Sequence, residues 1–208
     1  MAKIAKDYPG SIPIIVFRQH GSWVGSKYKY YLRKHGTLSF EEYFNMDTHD
    51  GVLTDKNLQF FEKIELLQEH YRQRPLVMFQ EEFKNEPIKA IKILSDFVGA
   101  TFNEKDLKIS NVKTSYSEHS LYYVRKLNRW YKYDHSSYKT YFSRTLYKKV
   151  SGGVLHTVAF FTGLFEPNKE KAKKVLPKAS VKRINDKYAS DWQRCIDFAA
   201  ETREVYLK

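Results

Sequence analysis

Apolar residues fall along this chain in two short continuous runs and in several stripes of helical spacing. The first run, Ile-Pro-Ile-Ile-Val-Phe-Arg at 12–18, is rich in β-branched side chains. It predicts a strand covered on both faces within a parallel sheet. Residues 2–8 before it read as a helix end, broken by Pro9-Gly10. After it, Ser22 is placed to cap a helix over 23–34 that stops at Gly36, and Ser39 to cap a short helix through Tyr43. A helix is predicted over 55–71, with Leu58, Phe61 and Ile64 on one side. Pro75-Leu-Val-Met-Phe is the second run and the second strand. Pro87 then starts a helix whose stripe is Ile88, Ile91, Leu94, Phe97 and Val98, ended by Gly99. Strand, helix, strand, helix in that order implies right-handed crossovers and a parallel sheet.

The second half changes character. Residues 118–131 place Leu121, Val124 and Leu127 on one face, away from Arg125, Lys126, Arg129 and Lys132. Residues 138–149 are basic and aromatic, and Ser151-Gly152-Gly153 is a break. Ser180 is placed to cap a long final helix, with Val181, Ile184, Tyr188, Cys195, Phe198 and Thr202 at helical spacing. The expectation is one α/β domain over 1–208. Its α/β part covers 1–110 and a mostly helical part covers 111–208.

Length and an apolar content of 42% fit a chain with a real core. The net charge of +12 implies anionic partners: nucleotides, sulfated or phosphorylated polymers, nucleic acid or acidic lipid. The single cysteine, Cys195, excludes an internal disulfide and reads as a buried thiol. The first residues carry no apolar signal core, and Gly153–Phe165 is too short to span a bilayer. A cytoplasmic protein without a transmembrane segment is expected. The seven histidines show no metal-binding spacing, so no metal is expected.

The chemistry concentrates in the turn after the first strand. An Arg closes the run at 18, Gln-His-Gly-Ser-Trp-Val-Gly follows, and a hydroxyl sits at Ser26. A guanidinium offers a planar fork for a phosphate, a helix start offers backbone N–H groups, and the serine adds a donor. Arg18 and Ser26 are thus the candidate binding residues. His20, in the turn, is expected to face solvent.

This segment, through Gly-Thr-Leu-Ser-Phe-Glu-Glu-Tyr-Phe at 36–44, resembles the 3′-phosphate-binding segment of sulfotransferases that use 3′-phosphoadenosine 5′-phosphosulfate (PAPS). In that family the Arg closing the strand and the Ser eight residues later hold the nucleotide 3′-phosphate, positions matched by Arg18 and Ser26. A second block, Pro75 to Gly99, is similar to the family's strand, acidic pair and helix, with Glu81, Glu82, Phe83, Lys84 and Pro87 matching in kind. Gln80 departs from the tyrosine often found there. Glu81 and Glu82 are expected to cap the turn and bind basic neighbours rather than to act as acid or base. Tyr116-Ser117-Glu118, Val124 to Arg129 and Ile184 to Trp192 are similar to the closing segments of bacterial members.

The resemblance implies a P-loop-like sulfotransferase fold, PAPS as co-substrate, and sulfuryl transfer to a hydroxyl or amine, with a carbohydrate as the favoured acceptor. No Pro-Lys-x-Gly-Thr or Gly-x-x-x-x-Gly-Lys-Ser/Thr loop for the 5′-phosphosulfate occurs in these 208 residues. The expectation is therefore an N-terminally shortened member, weak or inactive alone, with an unidentified catalytic base. Its exposed edge beside strand 12–18 is expected to recruit a second copy or another chain. The rival readings are a non-catalytic nucleotide- or polyanion-binding remnant and a nucleic-acid-binding protein.

Overall fold

A computed structural model of the chain describes residues 2–48, 50–107, 117–130, 153, 157, 161 and 175–207. The predicted basic helix over 138–149, the Ser151-Gly152 break, most of 153–165 and the Lys169–Lys174 run lie outside the described residues. The architecture is α/β and mostly helical, with a small parallel sheet. Its elements are α1 (Ala2–Asp7), β1 (Ile14–Phe17), α2 (His20–Arg33), α3 (Phe40–Tyr43), α4 (Phe60–Tyr71), β2 (Leu76–Phe79), α5 (Gln80–Asn85), α6 (Pro87–Val98), α7 (Glu118–Trp130), α8 (Lys178–Lys187) and α9 (Ala189–Tyr206). The chain divides into two compact units. The first holds residues 1–23, 55–112 and 183–208; the second holds 24–54 and 113–182.

In the first unit β1 pairs with β2 in parallel, Ile14 beside Leu76 and Phe17 beside Phe79. β2 is buried throughout. Leu76 and Met78 pack with Ala90 of α6 and with Phe83, Ile93, Leu94 and Phe97 around them. Residues paired across a parallel ladder share a face, so Ile14 and Val16 lie on the side of Leu76 and Met78. They are nonetheless 44% and 51% exposed. Strand 12–18 was expected to be covered on both faces; only the β2 half of this face is covered. Phe17 faces the other way and stacks on Phe60 of α4 at 4.9 Å, while Phe79 meets Trp192 of α9 edge-on. The stripe predicted for α6 also shifts: Ala90 is its fully buried member, and Ile88 and Val98 are exposed. Gly99 ends α6 at φ +66°, a conformation in which a side chain would be strained.

Two further boundaries differ from expectation. The predicted helix 55–71 is a 3₁₀ turn, Asp55–Asn57, followed by α4. Gln59 gives α4 no side-chain cap; Asp191 of α9 does. The long final helix is two, α8 and α9, parted at Tyr188, and Ser180 lies inside the first turn of α8 rather than before it. Of the predicted stripe, Ile184, Tyr188, Cys195, Phe198 and Thr202 are buried, and Val181 at its start is half-buried. Burial pushes the Cys195 thiol up to about 12, with Asp191 adding and Arg194 and Lys63 opposing.

In the second unit Tyr28 and Leu32 of α2 are fully buried, beside Phe40 and Tyr43 of α3. Ser39 caps α3 through a capping box with Glu42, as the sequence predicts. The Tyr28 hydroxyl donates to the Leu38 carbonyl at 2.9 Å, and burial raises its pKa to about 12. Gly36 is required by close approach: a Cβ there would stand 2.2 Å from the Tyr31 ring. α7 buries Leu121 and Val124 and seals the end of α2. The Asn128 amide donates to the carbonyls of Leu32 (2.8 Å), which also accepts the His35 N–H, and of Gly36 (2.7 Å), just past the end of α2.

Candidate functional site

Arg18 follows the last residue of β1 and is half-buried. It therefore sits at the carboxyl end of a parallel strand, the end at which open α/β sheets bind ligands. Among the described residues its guanidinium has no hydrogen-bond or ion-pair partner. Ser26 is exposed in the second turn of α2. Arg18 belongs to the first unit and Ser26 to the second, so neither unit holds both.

The turn between β1 and α2 is tightly bonded. α2 begins at His20, two residues before Ser22, so Ser22 lies in its first turn rather than capping it. The Gln19 N–H donates to Glu81 Oε1 at 3.1 Å, and the Gly21 N–H to Asn185 Oδ1 at 2.7 Å. Two amides that an anion would use at this helix start are thus occupied, one of them by a carboxylate that suits the positive end of the dipole. The other oxygen of Glu81 is buried with no hydrogen-bond partner among the described residues.

His20 departs furthest from expectation. It is 1% exposed, not a solvent-facing turn residue. Its ring lies nearly parallel to Phe60 (4.2 Å) and to Tyr188 (5.1 Å), with Trp192 edge-on at 5.7 Å. His20 Nε2 is 2.9 Å from the Leu58 carbonyl and 3.0 Å from Asp191 Oδ2. Both are acceptors, so the proton is on Nε2, and the buried Nδ1 has no hydrogen-bond partner among the described residues. Asp191 also accepts the Phe60 N–H on Oδ2 (3.1 Å) and the Phe61 N–H on Oδ1 (3.2 Å). Burial raises the Asp191 pKa, but the bonds from His20, Phe61 and Phe60 outweigh it and hold the carboxyl below its usual range. Tyr188, stacked on His20, donates its hydroxyl to Asp55, and Lys187 approaches the same carboxylate at 3.4 Å. Burial, then the bond to Asp55, drives the Tyr188 pKa up.

The acidic pair after β2 divides its work. Glu82 accepts the Phe79 N–H at 2.8 Å and takes both arms of Arg203, at 2.6 and 2.9 Å. The same guanidinium donates to the Val77 carbonyl at 3.1 Å. Glu82 is thus a cap and a cation partner, as the sequence predicts, and Glu81 braces the turn beside Arg18. The sequence signalled Arg18 and the acidic pair; it carried no local sign of Asp191 or Asn185, which reach the turn from helices more than 160 residues away.

The described residues hold no group of three His, Cys, Asp or Glu fit for a metal ion, and no helix among them is long and apolar enough to cross a membrane. Compared with protein-family models, curated proteins and solved structures, the chain matches none of them.

Proposed function

We propose that the carboxyl end of β1 binds the phosphate of a nucleotide through Arg18, and that the nucleotide is of the 3′-phosphoadenosine class used by PAPS-dependent sulfotransferases. The observation that carries this reading is a half-buried guanidinium with no partner among the described residues, at the ligand-binding end of a parallel strand. The resemblance of segments 12–44 and 75–99 supplies the ligand class, the P-loop-like fold and the second residue, Ser26. The reaction it implies is sulfuryl transfer to a hydroxyl or amine. These 208 residues contain no Gly-rich lysine loop for a phosphosulfate, so the reading commits to nucleotide binding and expects little transfer by this chain alone. The occupied amides of Gln19 and Gly21 favour a further reading, binding without catalysis, in which the side chain of Arg18 does most of the holding.

Calorimetric titration with adenosine 3′,5′-bisphosphate tests it. Arg18→Ala should weaken binding by about 10- to 100-fold, the worth of a charge-assisted hydrogen bond. Arg18→Lys should weaken it too, since the fork is lost. Adenosine 5′-monophosphate, lacking the 3′-phosphate, should respond little to either change. Equal affinity of all three proteins for the bisphosphate would remove the site. Ser26→Ala is a separate arm that tests the residue assigned by resemblance alone.

A further inference from the structure

The second unit carries a concentration of cations that the proposed nucleotide site does not use. Within it, Arg125 and Arg129 stand one turn apart on α7. Both direct Nε to one acceptor, the carbonyl of Thr37, at 3.3 and 3.4 Å. The bonds are long, as expected for one oxygen shared by two donors. Two guanidiniums are thereby held at one place on the surface, Arg125 half-buried and Arg129 exposed. Asn128, between them in sequence, locks α7 to the end of α2 through Leu32 and Gly36, so the helix that presents them is fixed.

Neither arginine forms an ion pair among the described residues. The acid beside them is Glu42, whose Oε2 accepts the backbone N–H and hydroxyl of Ser39. One carboxylate, bonded to its own helix cap, stands against two guanidiniums and leaves one positive charge in excess. Lys126 adds a third cation on the same helix. Each guanidinium keeps its Nη donors after Nε is committed. Like charges one turn apart repel, and an anion placed between them removes that cost.

We propose that Arg125 and Arg129 form an anion-binding site on the second unit for a phosphate or sulfate ester, independent of Arg18. Two planar forks anchored on one carbonyl match a tetrahedral group with several acceptor oxygens better than a single carboxylate.

The test uses the full chain carrying Arg18→Ala, so that the first unit does not contribute. Inorganic phosphate and sulfate are titrated while the Arg side-chain N–H signals are followed by NMR. Saturable shifts at Arg125 and Arg129 are expected. Arg125→Gln/Arg129→Gln should weaken binding by more than about tenfold. Arg125→Lys/Arg129→Lys, which keeps charge and loses the forks, should weaken it by about tenfold, whereas Lys126→Gln should change it by about twofold or less. Glucose 6-phosphate and glucose 6-sulfate then show which ester is preferred. Phosphate binding by the Gln double variant equal to that of its parent would overturn the proposal. So would absence of saturable binding by the parent at millimolar phosphate and sulfate, or a Lys double variant that binds as well as its parent.

Discussion

The two units use charge in opposite ways. The first holds 17 Lys and Arg against 16 Asp and Glu, a net charge of +1; the second holds 19 against 8, a net charge of +11. In the first, ionic and polar side chains act as internal braces. Asp191 ties His20 to the start of α4, Glu82 ties Arg203 to β2, and Asn185 and Glu81 hold the turn that carries Arg18. In the second, polar bonds seal the end of α2, and Lys and Arg outnumber Asp and Glu by 11. Almost all of the net charge of +12 therefore belongs to one unit, and the basic character of the chain says little about the sheet.

The largest effect expected from breaking the first unit is at Phe60, buried against Phe17, His20 and Trp23. Phe60→Ala should cost about 3–5 kcal/mol. Amide hydrogen exchange should show the loss of protection in β1, β2, α4 and α9. Unchanged protection there would mean that the aromatic stack does not support the sheet.

Asp191→Asn should cost less, about 1–3 kcal/mol, because at least one of three donors loses its acceptor. Urea unfolding across pH sharpens this. The folded carboxyl titrates below its usual range, so the stability it supplies is complete above the unfolded-state value of about 3.9. That stability is lost as the pH falls through the lower, folded-state value. The wild type should therefore lose more stability than the Asn variant between neutral and strongly acid pH. Parallel profiles would show that Asp191 does not carry the linkage.

The smallest effect is that of salt, about 1 kcal/mol or less. Screening should relieve like-charge repulsion in the second unit and slightly weaken Arg203–Glu82 in the first. Exchange protection of α7 should rise with added salt while that of β2 stays level or falls. A uniform response would contradict the charge partition.

Local pattern carried much of the fold. The two strands, the capping box at Ser39, the Pro87 start and Gly99 stop of α6, and the buried stripe around Cys195 were all legible, because each depends on residues within a turn or two. The role of Glu82 as a cap was legible for the same reason.

Burial and partnership were not. The run at 12–18 is apolar throughout, yet Ile14 and Val16 are exposed, because covering a strand requires another element and α6 lies over β2. His20 looks like any polar turn residue. It is buried because Phe60 and Tyr188, 40 and 168 positions away, enclose its ring, and Asp191 and the Leu58 carbonyl accept its proton. Caps and helix stripes are short-range, so neighbouring residues decide them. The environment of an ionisable group depends on which distant helices arrive beside it, and only tertiary packing decides that.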